Sequence, residues 1–371
     1  MKTRKYIFSA IVIVLFFTAL FRPNNSFDGI FYTGCIISFE DSNPEIVHSK
    51  TFSLLKDFTT AEEYDSLRNQ SAYQKAQFED IRSFYEQLPF YKSRILYLAF
   101  IYLGYKAGVN PFLWGHIFSV ICIITGLLIL LIKFDIYKSL TRSVVFLLAS
   151  LITGCGYASR MFYPDSMVFT FVCLLFYFAC SNQFGKLFLS APLLVLIKPA
   201  LFLYVFLMLI FAYYYFKTGR SESQKKYYFA SLFAATLFYI LLQVYYSGFG
   251  LNTYFYHSFI ERLNYPLSFT GTVSFTDYIN VLTDKSVALT NNKPFLFFLL
   301  TSAVVIYYTR LSIKNSFQLF FASANLLFVF IQFIVFPDID ERFFIGQYMA
   351  SFTLLLFSVN ALKNIPANTG D

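Results

Sequence analysis

A chain of 371 residues that is 57% hydrophobic, 22% aromatic and 13% charged, with a mean hydropathy of +0.57, exceeds the roughly 45–50% apolar content of soluble domains, which excludes an ordinary soluble enzyme or binding module. Its apolar runs are long enough to cross a bilayer, so the fold class is an all-α polytopic membrane protein, a single membrane domain over residues 1–371. The formal charge of +8 would suit nucleic acid, but the basic residues sit at the ends of apolar runs instead of on one soluble face, a topology signal that excludes that partner.

The N-terminus has Lys2, Arg4 and Lys5 ahead of an apolar run over residues 6–21, as a signal peptide does. Thr18-Ala19-Leu20-Phe21-Arg22 offers no small-residue cleavage site, so the run is an uncleaved first span with the N-terminus cytoplasmic. Residues 22–93 then form a long first extracytoplasmic loop, opening with Ser26-Phe27-Asp28-Gly29. Within it Asn43-Pro44-Glu45 is an N-cap with proline at the first helical position, followed by Ile46, Val47, Leu54 and Leu55 as apolar points. Thr60-Ala61-Glu62-Glu63 fits a capping box, and Phe78, Ile81, Tyr85 and Leu88 recur at helical spacing until Pro89. Lys75, Glu79, Asp80, Arg82 and Glu86 lie between them, the pattern of amphipathic helices resting on a membrane surface.

Further spans are expected at residues 111–132, 143–158, 166–180, 187–197, 199–216, 227–246, 294–309, 317–336 and 343–362, about ten with the first. The run 95–109 is shorter than the ~17–25 residues a crossing needs. Left out of the count, it places Lys133, Lys138, Arg142, Lys186, Lys217, Arg220, Lys225, Lys226, Arg310, Lys314 and Lys363 on the cytoplasmic side, opposed only by Asp135, Glu222 and Asp371. Counted, it would move the downstream basic loops outside, against the positive-inside tendency, so it is a re-entrant or surface helix. The outer side then holds the first loop, Arg94, the turn from Ser159 to Asp165, the Lys198-Pro199 turn, a second loop over residues 247–293 and the stretch 337–342.

Each polar residue on that side has an ordinary reading. Asp28-Gly29 is turn chemistry, Glu40-Asp41 before a proline-opened helix are solvated cap residues, and Asp165 with Ser166 is an N-cap. Lys198 can snorkel to the surface, and Arg342 can pair with Glu341. The chemical reading starts from cost, because a cation inside an apolar stretch is unfavourable by ~2.5–3.5 kcal/mol on insertion scales unless it finds water or a partner. A phosphate would serve Lys198 as partner, and the Arg342 fork can hold two phosphate oxygens. Arg160, Tyr163 and Asp165 share one short turn. Asp338-Ile339-Asp340 spells the DxD of soluble metal-dependent glycosyltransferases, which belongs to a different fold, and His48, His116 and His257 share no metal-ligand spacing.

A first span, a long outer loop opening with Asp28 and carrying surface helices, Arg94 before a short apolar helix, Pro164-Asp165 at the head of a later span and Lys198-Pro199 at a tight outer turn together resemble the GT-C superfamily. These are integral-membrane glycosyltransferases that take sugar from a polyprenyl-phosphate or polyprenyl-diphosphate donor. The resemblance implies Asp28 as general base toward an acceptor hydroxyl. It implies Lys198, Arg342 and Arg94 on the donor phosphate, with Asp165, Arg160, Tyr163 and His257 as further substrate-site candidates. Glu40 and Asp41 are the weak candidates for an acidic pair holding a divalent cation, which stays open; no other metal site and no cofactor is required. The partners implied are a polyprenyl-phosphate-linked sugar and membrane lipid, with a lipid, glycan or protein acceptor. The location implied is the plasma (inner) membrane of a bacterium or the endoplasmic reticulum of a eukaryote. An O-antigen-type polymerase or ligase is the nearest alternative, expected to carry its dominant outer loop late in the chain. A polytopic transporter or lipid flippase is the other, expected to show internal repeats that this sequence does not display.

Overall fold

The computed structural model describes residues 2–217, 222–246, 249–312, 317–338 and 340–363. Arg220, Lys314 and Asp371, assigned above to the inner side, lie outside the described residues, as does the side chain of Glu341. Among the described residues every regular element is helical, and a parallel bridge joins Asn24 to Met161.

Three helices, Thr3–Phe21, Pro111–Lys133 and Lys225–Tyr246, are long and apolar enough to cross a bilayer, and Phe275–Leu289 with Lys293–Tyr307 is so as a pair bent by 78°. The other apolar helices are shorter, from 10 to 17 residues. Their breaks have local causes. The run 143–158 divides into Leu140–Ile152 and Cys155–Ala158 at Gly154, whose φ of 88° an L side chain rarely adopts. The run 187–197 falls into Phe184–Ser190 and Leu193–Ile197 around Ala191-Pro192, and Lys198 stands in extended backbone before Pro199. Ile95–Lys106 has 12 residues, about 18 Å at 1.5 Å per residue against a hydrocarbon core of ~30 Å. It folds back at Gly108, φ 83°, onto the Pro111–Lys133 helix.

The loop over residues 22–93 differs from its sequence pattern in two ways. The helical run ending at Pro89 is three helices, Ala61–Asn69, Ala72–Glu79 and Ile81–Gln87. Ser71 accepts from the Gln74 N–H at 3.1 Å and Asp80 from the Arg82 N–H at 2.9 Å, so each caps a new start. The Asn43 cap and the Thr60–Glu63 capping box are both formed. The stretch opening the loop is itself a helix, Phe27–Ile37, buried from Gly29 to Ile37, and so enters the bundle instead of resting on it.

At the centre lies Asp165–Cys180, packed against Pro111–Lys133 and Ile345–Lys363. Glycines set these approaches. A Cβ at Gly126 would stand 2.4 Å from the Phe169 ring, and one at Gly346 would stand 2.8 Å from Val172. Small residues at such contacts let helices pack closely where lipid removes the hydrophobic drive for association.

Candidate functional site

Asp28 is in the first turn of Phe27–Ile37, where partial positive charge on the free backbone N–H groups suits a carboxylate. The helix is seated by Phe162, whose ring is 2.7 Å from a Cβ placed on Gly29 and 2.2 Å from one placed on Gly115. That wedge fixes the next residue, Tyr163, whose ring carries the Arg342 guanidinium at 3.9 Å.

The other charged groups arrive from separate stretches. Tyr91 donates its hydroxyl to Asp28 Oδ1 at 3.0 Å, and Arg342 Nη1 lies 3.6 Å from Asp28 Oδ2. Arg342 Nε lies 2.8 Å from Asp340 Oδ2, an ion pair by distance in which Nε makes no hydrogen bond, while its backbone N–H donates to Asp340 Oδ1 at 3.1 Å. The Phe343 ring is shared by two cations, with Arg342 at 4.9 Å and Lys198 Nζ at 3.7 Å from its centre. Lys198 in turn donates to Asp165 Oδ1 at 2.8 Å. Arg94 lies between the Tyr32 and Tyr91 rings, 5.3 and 5.0 Å from their centres, and donates to the Phe90 carbonyl at 3.3 Å. Asp28, Arg342 and Tyr163 are thus in direct contact, as are Lys198 and Asp165, the Phe343 ring joins the two sets, and Arg94 joins them through Tyr91.

Lys198 therefore has a carboxylate of its own, where the sequence suggested a cation waiting for a phosphate. Arg342 has two.

Burial works against the Arg342 charge, but Asp28, then Tyr163, Asp165 and Asp340, more than reverse it and hold its pKa above the usual arginine range. Burial raises the Asp340 carboxyl, opposed by Arg342. Burial followed by the Asp28 charge pushes the Tyr91 phenol well up, so it stays protonated and remains a donor to Asp28.

Four candidates lie apart from this group. Arg160 is exposed, and its carbonyl accepts from the Asn24 N–H at 2.9 Å. His257 stacks on Phe90 at 5.0 Å, meets Tyr73 at 5.6 Å and accepts at Nδ1 from the Leu263 N–H at 3.0 Å. Burial, then the Arg262 charge, brings its pKa down to about 3. Glu40 is held by Lys106 at 2.6 Å and Lys50 at 3.7 Å, and Asp41 Oδ1 accepts from the Asn43 N–H at 2.8 Å, closing the turn before the Pro44–Phe58 helix. Among the described residues no group of three or more His, Cys, Asp or Glu is placed to hold a metal ion.

Two members escaped sequence reasoning. Asp340 was visible only as part of a chance-prone DxD, and Tyr91 only as an aromatic residue shortly before Arg94. No protein-family model, curated protein or solved structure matches the chain.

Proposed function

We propose that the protein is a GT-C-like membrane glycosyltransferase of about ten spans, N-terminus inside, that moves a sugar from a polyprenyl-phosphate or polyprenyl-diphosphate donor to an acceptor at the extracytoplasmic face. The observation that supports this is the gathering of Asp28, Arg342, Lys198 and Asp165, far apart in sequence, into one contact network. In this reading Asp28 takes the proton of the acceptor hydroxyl while that oxygen bonds to the anomeric carbon. The sugar–phosphate bond breaks and the lipid phosphate leaves with the electron pair, its charge met by Arg342 and Lys198.

Lys198 is paired with Asp165 and Arg342 with Asp28 and Asp340, so a phosphate that meets either cation displaces an existing carboxylate partner. In this reading Asp340, whose carboxyl burial raises, is the partner of Arg342 that gives way to the donor.

An O-antigen-type polymerase or ligase is the second reading. It is favoured by the second outer loop reaching the edge of the group, where Phe249 and Tyr254 pack on Phe90 at 4.1 and 4.6 Å. The test is sugar transfer by purified protein in lipid nanodiscs supplied with polyprenyl-phosphate sugars. Asp28→Asn keeps an oxygen for Tyr91 and should lose transfer by ~10²–10⁴-fold with donor binding retained. Full transfer by that variant removes Asp28 from the chemistry, and movement of substrate without glycosylated product makes the protein a carrier.

A further inference from the structure

On the outer side, a cleft of about 440 Å³ is lined by Arg22, Pro23, Asn24, Gly156, Tyr157 and Arg160. We propose that it holds the phosphate headgroup of an anionic phospholipid of the surrounding bilayer. Its occupancy requires nothing of Asp28.

The cleft is fixed by backbone. Asn24 N–H donates to the Arg160 carbonyl at 2.9 Å and Asn24 bridges to Met161, so the segments bearing the two arginines are tied side by side. Both arginines are exposed, and neither has a carboxylate partner among the described residues. They differ in this from Lys198 and Arg342, each already neutralised. Two arginines lining one cleft, without a carboxylate partner among the described residues, suit a phosphate, which a guanidinium fork binds through two oxygens.

The apolar surroundings select a lipid over a soluble anion. The Lys2–Phe17 and Leu140–Ile152 helices both pack on the Ile136–Lys138 turn, and the Asn24–Met161 bridge joins the segments that follow them at the outer end. Val14, Phe17 and Phe21 on one side and Leu148, Leu151 and Ile152 on the other are exposed, giving acyl chains an apolar surface that ends at the arginines. Tyr157, also exposed, lines the mouth, where an aromatic ring with a polar tip suits the headgroup level.

The test is native mass spectrometry of the full chain released from phosphatidylcholine nanodiscs containing a minor fraction of phosphatidylglycerol. The wild type should retain phosphatidylglycerol in preference to phosphatidylcholine. Arg22→Gln/Arg160→Gln should reduce that preference about tenfold or more, the scale of losing one hydrogen bond to a charged group. If the double variant is not recovered folded, the two single glutamine variants carry the same expectation individually. An unchanged preference in the variants overturns the proposal. So does displacement of phosphatidylglycerol by inorganic phosphate, which would make the cleft a free-anion site, or by a trace of polyprenyl phosphate, which would assign it to the sugar donor.

Discussion

Lys198 and Asp165 form an ion pair at 2.8 Å with side-chain exposures of only 15% and 5%. A lysine that interrupts an apolar run is thereby matched to the carboxylate at the head of the central helix. Removing one partner of such a pair leaves an uncompensated buried charge, whereas replacing both with apolar groups need not destabilise. Lys198→Met should therefore cost about 3–5 kcal/mol, with Lys198→Met/Asp165→Leu recovering most of it. Unfolding in detergent measures both. Equal costs for the single and double variants would overturn an uncompensated Asp165 charge as the source of the loss.

Phe162 packs into the space left by Gly115. A Cβ there would stand 2.2 Å from its ring, so Gly115→Ala should destabilise by about 1–3 kcal/mol through overpacking and displace Tyr163 from Arg342. Gly185, in the Phe184–Ser190 helix with nothing within 4 Å of its Cβ position, is the control. Gly185→Ala should be neutral, or stabilising by up to about 1 kcal/mol. A thermal shift series with both variants separates the two positions, and equal shifts would remove the wedge role of Phe162.

His257 gives a pH dependence of defined sign. Its folded-state pKa is about 3 against an ordinary 6.5. Between those values the unfolded chain binds a proton that the folded one refuses, so stability declines as pH falls through that window, by up to about 1.4 kcal/mol per unit. Above pH 6.5 this contribution is constant. His257→Asn can still accept from the Leu263 N–H and should flatten the acid limb of a stability-against-pH curve. A variant curve parallel to that of the wild type would mean that His257 takes up its proton equally in the folded and unfolded chain.

Membrane orientation is tested by single cysteines placed at Ser71, in the loop after the first apolar run, and at Ser223, in the basic stretch before Lys225 and Lys226. An impermeant thiol reagent should reach them from opposite sides. Labelling from one side would break the topology on which a common outer face for Asp28, Lys198 and Arg342 depends.

The residues that matter most here were legible because charge is scarce in this chain. Asp28, Arg94, Asp165, Lys198 and Arg342 stand out against an apolar background where each has a solvation cost. Caps were legible too: Asn43 and the Thr60–Glu63 box act within four residues of themselves, so their chemistry is written locally. Pairing was not, because it depends on which helices become neighbours. Nothing near Lys198 in sequence names Asp165, nothing near Asp28 names Tyr91, and the sharing of Phe343 by two cations exists only once the bundle closes. The spans divide the same way. Composition alone makes the protein helical and apolar, but the interruptions at Gly154 and Ala191-Pro192, and the seating of Phe162 between Gly29 and Gly115, were settled by three-dimensional packing. A backbone break or a missing Cβ is decided by the neighbouring chain it must fit.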